Sequence, residues 1–185
     1  MNSQLTKEEK LSLLKLAKES VFANVQQQSL PSTESSFAKL NEPGAAFVTL
    51  HVDGKLRGCM GTFAWRSTHT EIVQQMALYA STRDPRFPSI DESDLSSMTV
   101  EISVLSSPIE VGGLDEIQIG RDGLIISHQN ARGVLLPQVA TDRDWDVKTF
   151  LEHTCLKAGL PTDAWKREDV QIQRFEAEVF SEEED

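Results

Sequence analysis

The stretch Ala45 to Phe63, AAFVTLHVDGKLRGCMGTF, decides how this chain is to be read. Asp53-Gly54 separates two apolar runs. That dipeptide is a strong hairpin signal, because a two-residue turn with both residues at positive φ suits Asp-Gly and matches the right-handed twist of its strands. Ala45 to Val52 and Lys55 to Phe63 are therefore predicted to be paired antiparallel strands. The second strand carries LRGCMGTF, with Cys59 between Gly58 and Gly61. Strict alternation puts Arg57 and Cys59 on one face and Leu56, Met60 and Thr62 on the other. Two readings of the cysteine stay open. A fixed positive charge beside a thiol favours the thiolate, and flanking glycines would let a ligand come close to the sulfur. Alternatively, Cys59 is a small buried residue and the glycines mark a bulge or a close backbone approach.

Before the hairpin, Thr6-Lys7-Glu8-Glu9 has the form of a capping box. Leu11, Leu14, Ala17, Val21 and Val25 then recur at spacings of three and four, which predicts a helix from about Thr6 to Gln28. Ser29 to Gly44 reads as loop. After the hairpin, Thr68-His69-Thr70-Glu71 is a second capping box, opening a helix that ends before Asp84-Pro85. Thr99 to Leu105 alternates, with Val100, Ile102 and Val104 on one face and Glu101 and Ser103 on the other. Further strands are predicted at Gly123 to His128 and Gly133 to Ala140, the second ending or lying at an edge because Pro137 lacks a donor. Asp146 to Ala158 is helical, stopped by Gly159 and Pro161. Val170 to Phe180 alternates again, but its apolar phase slips between Ile172 and Phe175, which predicts a bulge or bend near Arg174. Ser181 to Asp185 is read as a solvated acidic tail. Hairpin-linked strands with irregularly interspersed helices give an α+β class with a mostly antiparallel sheet, in one domain with room for two lobes.

At 185 residues with 39% hydrophobic and 25% charged content, the chain has the composition of a soluble globular protein. No signal peptide and no long apolar run is present, so a cytoplasmic protein is predicted. The net charge of −11 disfavours nucleic acid and anionic membrane surfaces as partners. The two cysteines have no C-x-x-C spacing, and the four histidines show no i, i+4 pair, so no metal is predicted. The glycine-rich motifs for dinucleotides and ATP are missing, and no cofactor is called for.

Among residues that could carry chemistry, Arg86 beside Asp84-Pro85 is a candidate for holding a carboxylate or phosphate, or else pairs with Asp84 or Glu101 to pin the loop. Glu101, on the polar face of an apolar strand, is a candidate buried acid, either as an ion-pair partner or as a proton acceptor. His51 should lie across the hairpin from Leu56 to Gly58. Cys155, four residues after Leu151 on the last helix, reads as core.

LRGCMGTF, DPRFPSI, VEISVLSSP, GVLLPQVA and WDVKTFLEHTCLKAGLP followed by AW occur in the order found in the AMMECR-type domain family, which the chain resembles over nearly its whole length. Bacterial and archaeal members look like protein A of the AmmeMemoRadiSam system, encoded with a Memo-like protein and a radical SAM protein. The resemblance implies an α+β fold of two lobes forming a cleft, with the motif Arg57-Gly58-Cys59-Met60-Gly61 near it and Met60 replacing the commoner isoleucine. It also matches Asp84 to Phe87 and Leu136, Pro137 and Gln138. Cys59, Arg57 and Glu101 are accordingly the candidates for chemistry, and Gly58, Gly61, Thr62, Asp84, Arg86 and Gln138 for contacts to a small anionic ligand. The competing expectation is a non-catalytic adaptor that docks the Memo-like or radical SAM partner through the same motif surface.

Overall fold

The computed structural model describes residues 4–182. The chain forms two compact units, the first comprising the stretch up to Leu105 with the segment from Glu178 onward, the second Ser106–Ala177. Strand pairing is antiparallel in both, so the fold is α+β as the sequence predicts.

In the first unit, helix α1 (Lys7–Val25) starts at the expected capping box, with Thr6 accepting from the Glu9 amide and Glu9 accepting from the Thr6 amide. Its buried face is Leu13, Leu14, Leu16, Ala17 and Val21, whereas Leu11 is 53% exposed. Leu11 lies about 120° round the helix from Ala17, at about 100° per residue, and so falls outside the stripe. Strands β1 (Pro43–Val52) and β2 (Lys55–Gly61) form the predicted hairpin, turning through Asp53 at φ 50° and Gly54 at φ 70°. Both values are positive, as a type I′ turn requires.

Strand β3 (Ser67–Thr68) pairs with the start of β1, and α2 (His69–Thr82) opens on the second capping box, Thr68 with Glu71. Strand β4 (Met98–Leu105) pairs with β1 along its length. The order β2-β1-β4 leaves β2 at the sheet edge. Ala46, Val48 and Leu50 of β1 and Val100, Ile102 and Val104 of β4 join residues of α1 and α2 in one apolar core. Period-two alternation then turns Phe47, Thr49 and His51 of β1, and Thr99, Glu101 and Ser103 of β4, to the opposite face.

The second unit contains β5 (Ile109–Glu110), β6 (Asp122–His128), β7 (Ala131–Leu135), α3 (Pro137–Thr141), α4 (Val147–Lys157) and most of β8 (Gln171–Ser181). Its core gathers Leu124, Ile126, Phe150, Leu151 and Cys155. Two predictions are corrected here. β7 lies at the sheet edge and ends before Pro137, as the missing donor implies, but it stops at Leu135 instead of reaching Ala140, and Pro137 opens α3, where its missing N–H costs no helical hydrogen bond. Nor is there a bulge at Arg174, because β6 and β8 pair without interruption from Asp122–Glu176 to Ser127–Gln171. The apolar phase slips because both faces of β8 are used. Ile172 packs on the core, while the Phe175 ring, one face over, fills the space above Gly123.

Ser181 closes β8, and Glu182 is tied to Lys18 Nζ at 3.0 Å and to the Val100 amide at 3.1 Å, so the expected solvated tail does not begin at Ser181. Residues 183–185 lie outside the described residues.

Leu50 is fully buried. We expect Leu50→Ala to cost about 2–5 kcal/mol in urea unfolding, against about 0.5 kcal/mol or less for Leu11→Ala at its exposed position.

Candidate functional site

The hairpin register decides which way Cys59 faces. From the turn, Val52 pairs with Lys55 and His51 with Leu56, as a two-residue loop dictates. The register then shifts by one residue between His51 and Leu50, so that Leu50 pairs with Gly58, Thr49 with Cys59 and Val48 with Met60. Arg57 is the extra residue of a β-bulge. Without it, Cys59 would sit opposite Val48 and face the core. With it, Cys59 shares the outer face with Thr49 and is half-buried, while Met60 packs on the core.

The bulge also turns Gly58 toward α2. A Cβ at Gly58 would stand 2.1 Å from the Ala80 carbonyl oxygen, so glycine is required for the helix backbone to lie this close. At Gly61 a Cβ would meet the Phe47 ring at 2.1 Å. That ring packs edge-on against Phe63, with centroids 5.0 Å apart. The space left by both glycines is thus filled by the chain itself rather than held open beside the sulfur. Thr62 donates its amide to Ala46 and accepts from the Ala64 amide, which anchors the exit of β2.

Arg57 does not serve the thiol. Its guanidinium donates to the carbonyls of Pro88 and Ser89 and pairs with Asp94 at 2.8 Å, with both side chains largely buried. The bulged residue therefore staples the loop after α2 to the sheet edge. The cation near Cys59 is Arg86, from the Asp84-Pro85-Arg86-Phe87 turn.

Asp84 organises that turn. It is 5% exposed, and its Oδ2 accepts the Cys59 amide at 2.9 Å. The same carboxylate accepts from the Arg86 amide and from Arg86 Nε and Nη2, at 3.1, 3.0 and 2.7 Å. The bidentate guanidinium, with the Cys59 and Arg86 amides, holds the Asp84 carboxyl far below the usual carboxylate range. Arg86 is raised in turn, chiefly by Asp84, with a smaller contribution of the same sign from the nearby Cys59 sulfur. Nη1 of Arg86 donates to nothing among the described residues.

The third neighbour is Thr49, whose Oγ1 donates to Cys59 Sγ at 3.3 Å. Nothing in its sequence context singles it out, because only the bulge puts it opposite the cysteine. Glu101 pairs with Thr49 from the other side, so Cys59, Thr49 and Glu101 form one row across three strands. Two strand spacings separate the ends of that row by about 10 Å, so Glu101 is too distant for a direct bond to the sulfur.

His51 stands two pairs further along, opposite Leu56, as expected. Gln138 belongs to the second unit, exposed on the first turn of α3. Cys155 is fully buried in that unit, and burial pushes its thiol pKa up.

A half-buried thiol that accepts a hydroxyl hydrogen bond beside a fixed guanidinium is equipped to attack an electrophile while an anionic group rests near the arginine. Comparison with known proteins agrees with the fold. The AMMECR1 family model matches residues 14–180, and the chain belongs to that family. A Methanocaldococcus jannaschii protein is 46% identical over 150 residues, covering 77% of this chain and 75% of its own. A Methanosarcina mazei protein is 36% identical over 189 residues, covering 97% and 94%. The crystal structure of an uncharacterized Pyrococcus horikoshii protein superposes with a TM-score of 0.77 at 34% identity, covering 93% of this chain and 90% of that one.

Two outcomes follow from the geometry. Gly58→Ala forces β2 off α2 and should destabilise the protein by about 1–3 kcal/mol in denaturant unfolding. Asp84, with its folded pKa depressed, contributes stability that is complete above its unfolded pKa and is lost only as pH falls through the folded value. A carbon-13 NMR titration should accordingly find the Asp84 carboxyl still ionised at about pH 3, where an ordinary aspartate at about 3.9 has largely protonated.

Proposed function

We propose that the first unit carries a small-molecule site in which Cys59 is the reacting group and Arg86 receives an anionic group of the compound. One observation carries the reading. A single buried carboxylate, Asp84, fixes both the Cys59 backbone and the Arg86 guanidinium, while Thr49 holds the sulfur. Preorganisation of this kind, with the supporting bonds made before any ligand arrives, is what a reactive site needs. It differs from the sequence expectation in its cation: Arg86 takes the place given to Arg57, which is committed to the loop.

The pathway context, a modification shared with a Memo-like and a radical SAM protein, enters through the family resemblance and is part of the same proposal. Thr49 and Asp84 support the site as positioning residues, and Glu101 stands at its far end.

Alkylation by iodoacetamide of the native protein, followed by peptide mapping, tests the reading. Cys59 should react about tenfold or more faster than the buried Cys155, and Arg86→Gln should slow its alkylation by the anionic iodoacetate more than by the neutral iodoacetamide, while lowering the unfolding midpoint because the buried Asp84 carboxylate loses its guanidinium. Equal, slow labelling of both cysteines in the native state would sink the proposal.

A further inference from the structure

Helix α2 opens on a buried histidine. His69 is its first residue and is 8% exposed. The backbone N–H donates to the Glu42 carbonyl at 3.1 Å, and the ring Nδ1 lies 3.0 Å from the same oxygen. A carbonyl only accepts, so Nδ1 carries the hydrogen and Nε2 is the nitrogen left to take a further proton. The ring lies so near Gly44 that a Cβ there would stand 2.6 Å from it. One side chain thus joins the exit of the 3-10 turn Ala38–Asn41, the start of β1 and the first turn of α2.

What it holds is short. Strand β3 pairs Ser67 with Gly44 and Thr68 with Pro43, too little ladder to hold by itself. The segment that runs from the Thr62 amide, bonded to the Ala46 carbonyl, to β3 carries Phe63, whose ring packs on Phe47. Phe47 is one same-face step along β1 from Thr49. The seating of this segment therefore governs the aromatic pair beside Cys59.

A charge on this ring is disfavoured. Burial pushes the His69 pKa below its ordinary value and outweighs the opposing pull of the Glu42 carbonyl and carboxylate. Lys39 acts both ways, its ammonium against the charged ring and its carbonyl for it. These two residues supply the larger charged effects, and none of those comes from α1 or β2. The adjoining Pro43, Gly44, Ser67 and Thr68 hold no titratable side chain, and on α2 the Glu71 carboxylate is turned back to the Thr68 amide. The N–H groups of the first helical turn present the positive end of the dipole, which also opposes a cation.

We propose that His69 is an acid-released latch: neutral, it seats β3 and the first turn of α2 on the start of β1, and protonated, it is driven toward water and lets that segment, with Phe63, lift from the sheet. Linkage sets the direction. A histidine that is harder to protonate closed than open adds stability that is complete above its open-state pKa of about 6.5 and falls as pH drops below it, until the closed-state value is passed. The latch stands whether or not Cys59 is a reacting group.

Amide hydrogen exchange of the intact chain, followed by NMR and expressed as protection factors, tests the latch. Between about pH 7.5 and about pH 5.5 the protection of the His69 amide should fall about tenfold, the ratio expected when only the open state takes the proton, while the amides of the β1–β4 ladder keep theirs. The His69 ring itself should titrate below about 6.5. His69→Gln, whose side-chain amide can donate to the Glu42 carbonyl without titrating, should remove the pH dependence. Equal protection of the His69 amide at both pH values, or a ring that titrates at or above about 6.5, would overturn the inference. So would an undiminished pH dependence in His69→Gln. Should that variant be open at both pH values, the exchange and ring titration of the wild type decide.

Discussion

One inserted residue in an edge strand sets the direction of the whole motif. Arg57 is accommodated as a bulge, and the one-residue shift it causes moves Cys59 from the core face to the outer face, opposite Thr49. A bulge is not free to relax when its side chain is tied down, and here the Arg57 guanidinium is held by Asp94 and two loop carbonyls. The arginine thus acts at the level of backbone register rather than as an electrostatic partner of the thiol.

Much else follows from that shift. Gly58, turned inward, sits where a side chain would collide with the α2 backbone. The Cys59 amide, directed away from β1 at an unpaired sheet edge, finds the Asp84 carboxylate in place of a neighbouring strand. Edge N–H groups are an aggregation hazard unless covered, so the Asp84 to Ser89 segment both protects the edge and delivers Arg86 beside the sulfur. Structural cover and site assembly are the same set of bonds.

The elements themselves were legible because their signals are local. Both capping boxes and the Asp-Gly turn are found as read, and the alternation of Val100, Glu101, Ile102 and Ser103 sorted core from outer face correctly. Leu11 was misassigned because a helix stripe read by spacing has two possible edges, and only tertiary packing chooses between them. The stretch from Pro137 to Ala140 was misread as strand because a missing donor is tolerated equally at a strand's end and at a helix's first turn. The candidate site was half legible. Cys59, Arg86 and Glu101 could be singled out from residue type and position, and Asp84 as a partner for Arg86. The role of Arg57 and the presence of Thr49 could not, since a bulge leaves no mark in composition or periodicity, and strict period-two counting from the turn pairs Thr49 with Gly58 instead.

Register therefore decides the rest: the shift at Arg57 places Cys59 beside Thr49 and away from the core. Cross-strand Hα–Hα nuclear Overhauser effects in the native protein report it directly, because the two Cα atoms of a non-hydrogen-bonded antiparallel pair lie only about 4.5 Å apart. A strong contact between the α-protons of Thr49 and Cys59 is predicted. A contact of Thr49 with the α-protons of Gly58 in its place would mean that β2 runs without the bulge, that Cys59 faces the core, and that the account of the site is wrong.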